Sequence, residues 1–181
     1  RELRDLLTLL NEIARSVARA VSARLLPAEA ARLARRVAIG EPALRHYIEG
    51  RFFWAQRGPE ALAKAIAAFH DCARQAPDFA PAHVGLADSA ILLAMYGIEA
   101  PLAAAARARE HLASAMALDP DGAEVQTALG ALRLFFDWNH ADAERAFVRA
   151  LAFNPRYTTA YLAYGDLLMM RGEFERGLGL I

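Results

Sequence analysis

The sequence predicts an all-α protein: a right-handed α-solenoid of helix-turn-helix pairs preceded by an N-terminal helical hairpin. Three observations predict it. First, one phrase recurs in AIAAFHDCARQAPDFAPA (65–82), AREHLASAMALDPDGAE (108–124) and AERAFVRALAFNPRYTTA (143–160). Each copy places a small residue, an aromatic or Leu four positions on, a small residue three further on, and a proline five after that. Repetition at this scale is the signature of a stacked array. Second, proline and glycine punctuate the chain at intervals that suit helix ends. Third, 56% of the residues are hydrophobic, many of them alanine, while β-branched alternation is sparse. That composition favours close-packed helices over strands and excludes disorder.

Taken in order, residues 1–26 read as one amphipathic helix. Leu3, Leu6, Leu10, Ile13, Val17 and Val21 recur at three- and four-residue steps and form an apolar stripe. Pro27 opens a second helix over 28–38, with Glu29 favouring its N-terminus, and Gly40 ends it. This hairpin, 1–40, is expected to be the tail of a preceding domain, and 41–181 the repeat array. From Glu41 the pattern is helix, turn, helix: 42–56 with 59–75, 80–96 with 101–117, and 122–136 with 139–152. A fourth pair begins at 156–171 and is cut within 173–181, so three full repeats and a truncated fourth are expected. Gly58-Pro59, Pro77-Asp78, Pro101, Pro120-Asp121-Gly122, Asn154-Pro155 and Gly172 supply the breaks. The opening on Arg1 and the end inside a helical pattern are expected of a piece of a longer chain.

These spacings resemble the tetratricopeptide repeat (TPR), a helix-turn-helix unit of 34 residues. In the fourth unit, Tyr161, Tyr164-Gly165, Leu168 and Gly172 take the family's positions. Leu129-Gly130 followed by Ala143, Phe147, Ala150 and Pro155 does so in the third. The second has Leu86-Ala87, Ala108, Leu112, Ala115 and Pro120; the first has Gly50, Ala65, Phe69, Cys72 and Pro77. Pro120 to Pro155 is 35 residues but Pro77 to Pro120 is 43. The excess is expected around Met95–Leu102, as a longer first helix or an extended turn. A narrower resemblance follows the order of DLLTLLNEIARSVARAVSARL, YIEGRFFWAQRGPEALAKAIAAF, HVGLADSAILL and FFDWNHADAERAFVRALAFNP. It is similar to bacterial multidomain signalling and transcriptional regulators. There a winged-helix, cyclase or kinase domain precedes a TolB-like domain and TPRs.

The resemblance implies a protein-protein interaction or sensory module, with the first helix of each pair lining a concave groove. Carried over residue by residue, that groove comprises Tyr47, Arg51 and Trp54, then Val84, Asp88 and Ile91. Thr127, Ala131 and Leu134 follow, then Leu162, Asp166 and Met169. A purely structural oligomerisation scaffold and a regulatory segment of a nucleotide cyclase or kinase remain open alternatives. The partner is expected to be a protein or peptide. The stripe of 1–26 needs a packing partner, and a homodimer through it is expected.

Other classes are set aside. Formal net charge is zero and the pI about 7.2, with Lys64 the only lysine, so nothing marks a nucleic-acid surface. No apolar run approaches the roughly 20 residues that span a bilayer, and no signal peptide is visible. Cys72, the one cysteine, sits where the repeat wants a small buried residue and reads as a packed thiol. His46, His70, His83, His111 and His140 lack zinc-motif spacing, and no phosphate loop or nucleophile elbow is present. His70, Asp71 and Cys72 are adjacent on a helix and so do not face one another. Carboxylates at Asp137 and Asp142 suit capping. No enzyme activity, metal or cofactor is expected of this segment.

Overall fold

The computed structural model describes residues 39–180. The chain divides between Ile39 and Gly40, and the second unit is the one described here. The expected hairpin over 1–40 and the stripe assigned to dimerisation lie outside the described residues.

Proline at a helix start sets φ at no hydrogen-bond cost, because the first N–H groups have no intrahelical acceptor. The chain uses this four times. Gly40 enters in extended backbone and Pro42 opens α1 (Glu41–Ala55). Pro59 opens α2 (Pro59–Gln75), Pro81 follows the start of α3 (Ala80–Met95), and Pro101 opens α4 (Pro101–Leu118). Three further helices are α5 (Ala123–Phe135), α6 (His140–Phe153) and α7 (Thr158–Met170). The last is the short α8 (Phe174–Leu178). Asn139 caps α6, its side-chain oxygen accepting from the Asp142 N–H at 3.1 Å. Among the described residues every regular element is helical.

Each pair turns through one left-handed residue: Arg57 (φ 61°), Gly97 (φ 68°), Trp138 (φ 52°) and Gly172 (φ 78°). Two of the four turns thus carry the steric strain of a side chain where glycine would carry none. The long second unit differs from expectation. α3 has 16 residues where α5 has 13, and α4 has 18 where α6 has 14. The second helix therefore takes the largest share of the excess, and the turn only a small part. Glu99 and Arg107 form a two-pronged ion pair that ties this longer turn to α4.

Packing follows the repeated phrase. Phe69 is wholly buried, and a Cβ on Gly50 or Gly85 would come within 2.6 or 2.7 Å of its ring. Phe147 fills the same place in the third unit, where a Cβ on Gly130 would lie 2.4 Å from it. Small residues at these points let paired helices approach until the aromatic fills the space between them. Cys72 belongs to this packing: it is buried and free, and burial pushes its thiol up to about 11. It is an inert thiol at neutral pH.

The helices pair as α1–α2, α3–α4, α5–α6 and α7–α8, and each second helix touches the next first helix. First helices also touch one another, α1 to α3, α3 to α5 and α5 to α7, whereas the second helices make no comparable row. Helices that are closer on one side bend the array toward that side. The first helices therefore line the inner face.

Candidate interaction groove

Successive first helices present equivalent positions to this inner face, but the array treats them unequally. Arg51, Asp88 and Ala131 are half-buried and Asp166 is exposed. Leu162 and Met169, one turn to either side of Asp166, are 48% and 40% exposed. Several residues expected to line the groove are instead core. Val84 and Ile91 pack with Ala87, Leu112, Val125 and Leu132. Leu134 packs with Phe147, Tyr164 and Leu167. Thr127 is buried, its hydroxyl donating to the Ala123 carbonyl at 2.7 Å. Side chains of the paired helix and of the following unit close over Val84, Ile91 and Leu134. Tyr47 is half-buried, its ring edge-on to Phe79 at 5.1 Å and tilted against Phe69 at 6.0 Å.

Trp54 is also mainly core, 8% exposed among Leu62, Ala65, Phe69, Leu86 and Leu92. Two guanidinium groups lie over its ring, Arg57 at 3.8 Å and Arg51 at 4.7 Å from the centroid. Such contacts are worth about 0.5–1 kcal/mol at exposed sites and more when desolvated. The Trp54 indole N–H is buried and meets no acceptor.

The polar centre of the groove is Asp88. Burial pushes its carboxyl up to about 7, against the opposing pull of Arg51 and Arg57 and with a smaller upward push from Glu124. The residue retains partial solvent access. Tyr157, at the entry to α7, sits within the same field. Burial raises its phenol, Asp88 and Glu124 add to the rise, and a hydrogen bond to Thr159 and Arg51 oppose it. Four units thus contribute Arg51, Asp88, Glu124 and Tyr157 to one electrostatic neighbourhood. Asp166 lies further along, its carboxyl also raised by burial.

Glu124, Tyr157 and Arg57 were not anticipated from the sequence. Glu124 shares a helix face with Thr127, three residues on, so its position was legible. Arg57 and Tyr157 lie in turns, outside any helical periodicity.

A second cluster was also unforeseen. His70 of α2, His83 of α3 and His111 of α4 bring their rings together. His70 and His111 are 5.7 Å apart between centroids, and His83 and His111 are 6.4 Å apart. His83 Nε2 lies 3.0 Å from the Pro77 carbonyl, which can only accept, so Nε2 carries the proton. Its Nδ1 is buried without a partner. Burial lowers the pKa of His111, His70 and His83 lower it further, and Glu110 opposes them. Even so, among the described residues no three His, Cys, Asp or Glu side chains are arranged to hold a metal ion. Nor is any described helix long and apolar enough to cross a membrane.

No family model matches the chain, and no curated protein matches it. Solved structures do. TTC0263, described as a thermophilic TPR protein in Thermus thermophilus, superposes with a TM-score of 0.66 at 15% identity. The match covers 77% of this chain and 71% of that one. MamA is similar at 22% identity over 78% of this chain and 70% of its own, with a TM-score of 0.47. With the packed small–aromatic–small phrase and the inner row of first helices, the first likeness fixes the fold: the array is a solenoid of TPR-type helix pairs.

Proposed function

We propose that this array is a protein-interaction module that holds a segment of a protein or peptide partner along the inner row of first helices. One observation carries the reading: side chains from four separate units, Arg51, Asp88, Glu124 and Tyr157, act on one another electrostatically. Groups drawn from so many elements would be dispersed if the array were only a spacer. Recognition would be by surface complementarity, with exposed Leu162 and Met169 adding apolar contact at the fourth unit.

The test is selection of displayed peptides on the full chain, followed by affinities for Arg51→Ala and Asp88→Ala. Selected peptides should compete with one another and lose affinity in both variants, while the thermal melt is retained. Peptides indifferent to both substitutions would place recognition elsewhere. The order of phrases along the chain supports placing the module in a bacterial signalling or transcription regulator, a cyclase or kinase among them, and the full reading frame tests that context. The apolar stripe of 1–26 supports self-association. A solution-scattering mass that stays monomeric as concentration rises would remove it.

A further inference from the structure

We propose that His70, His83 and His111 form an acid-sensitive latch between the first and second helix pairs, closed at neutral pH and released in acid, so that α1 and α2 come away before the rest of the array opens.

Three of the chain's five histidines meet here, and they come from three helices. His70 stands on α2, in the first pair, whereas His83 and His111 stand on α3 and α4, in the second. The rings of His70 and His111 lie edge-on at 5.7 Å, and those of His83 and His111 are tilted at 6.4 Å. The cluster therefore spans the junction at which α2 packs on α3. Histidine is the side chain whose charge changes between pH 5 and 8. Neutral, these rings make ordinary aromatic contacts. Protonated, they set like charges against one another across the junction at the same separations.

His83 adds a second cause. Its Nε2–H is already given to the Pro77 carbonyl at 3.0 Å, so an incoming proton must join Nδ1. That nitrogen is buried and has no partner, and a new N–H there would find no acceptor while the junction stays closed. Burial, and after it His70, lower the pKa of His111, with His83 and Arg107 adding to the fall. The closed junction thus holds fewer protons than the open one, and acid favours opening.

The surrounding charges offset little of this. Glu110, beside His111 on α4, opposes the fall, and no group of α1 or α5 is among those that act on His111. On α2, Asp71 and Arg74 pair with each other at 2.8 Å. The turn between α2 and α3 carries Asp78, and the one charged residue of α3 besides His83 is Asp88. His46 of α1 is placed differently, with the Glu49 carboxylate of its own helix at 3.8 Å. Arg51 and Asp88 belong to the two units that the latch joins, so its release would also divide the groove. That consequence rests on the function proposed above, whereas the latch itself does not.

The full chain carries its own reporter, because Cys72, wholly buried, lies two residues beyond His70 on α2. A pyridyl disulfide, which attacks thiols in acid as well as at neutral pH, reads its exposure as the ratio of native to denatured rates. One proton taken up on opening multiplies the opening constant by up to about tenfold per pH unit. The ratio should therefore rise at least about tenfold from pH 7 to pH 5. Helix-resolved hydrogen exchange, corrected for the intrinsic pH dependence, should show α1 and α2 losing protection while α5 and α6 keep theirs. His70→Gln with His111→Gln should remove both changes, and His46→Gln should leave them. His70→Gln alone, at an exposed site, should reduce the rise and serves if the double variant fails to fold. A constant ratio, an acid rise that persists in the glutamine variants, or equal loss of protection in all helices would each overturn the latch. A peptide selected on the groove should be released at pH 5 from the parent and retained by the double variant. If Cys72 opens in acid and the peptide stays bound, the latch stands and the groove reading falls.

Discussion

Replacing Asp88 by asparagine should stabilise the array, and the gain should depend on pH. The carboxyl is raised from 3.8 to about 7 by burial. A carboxyl with a raised folded pKa binds more protons in the folded state than in the unfolded one. Its contribution is fully present below about 3.8 and is lost as pH climbs through 7. Each pKa unit is worth about 1.4 kcal/mol, so a displacement of about three units costs on the order of 4 kcal/mol by pH 8. Asparagine removes the charge but still buries an amide, which returns about 1–2 kcal/mol of that gain. The expected net stabilisation is about 2–3 kcal/mol at pH 8, shrinking toward zero or a small loss near pH 4. Urea unfolding of both proteins at the two pH values measures it, read as a shift in midpoint at constant slope. Constancy of the slope matters because repeat arrays can unfold in parts. A variant less stable than the parent at pH 8, or a gain equal at both pH values, would refute the desolvation of Asp88. If the substitution also abolishes binding of a selected peptide, Asp88 is a residue kept for recognition at a cost in stability.

Gly130→Ala places a methyl 2.4 Å from the Phe147 ring and should destabilise by about 1–3 kcal/mol in chemical denaturation, with Phe147→Leu in the same chain recovering part of it. For His111, burial and the neighbouring histidines lower the folded pKa below 6.5, so its contribution is present above that value and is lost as pH falls through it. The midpoint of thermal unfolding should drop between pH 7 and pH 5, and His111→Gln should flatten that part of the profile. Cys72 should react with a thiol reagent at pH 8 only as fast as the array opens, and at full rate in denaturant; immediate stoichiometric reaction in the native protein would contradict its burial.

The parts of this fold that were legible in the sequence are those set by local contacts. Pro59, Pro81 and Pro101 fix helix starts through their own φ. Ala65, Phe69 and Cys72 reveal their packing because residues three and four apart share one helix face. Ion pairs such as Arg149 with Asp121 and Arg109 with Asp137 are 28 residues apart and join neighbouring units, so no pattern within one unit discloses them. The histidine rings meet because α2, α3 and α4 pack together, although His70 and His111 are 41 positions apart.

The groove shows where such reading ends. Ile91, Leu134 and Met169 hold equivalent positions on successive first helices, yet the first two are core and Met169 is 40% exposed. Repeat position fixes the side of the helix a residue occupies. Burial depends on what the following unit places over that side: Ile91 meets side chains of the third unit and Leu134 those of the fourth, whereas after Met169 the described chain holds only the short α8. The same reasoning applies to Asp88 and Asp166. Their position was evident from spacing, but the desolvation that makes Asp88 a sensitive site comes from burial in the assembled array, where side chains of the first and third units act on it. An acidic side chain on a first helix is therefore a candidate for recognition only where the assembled array withdraws it from water and leaves it without a salt bridge. Among the carboxylates of the described inner face, Asp88 meets both conditions most fully, and its substitution most directly separates recognition from stability.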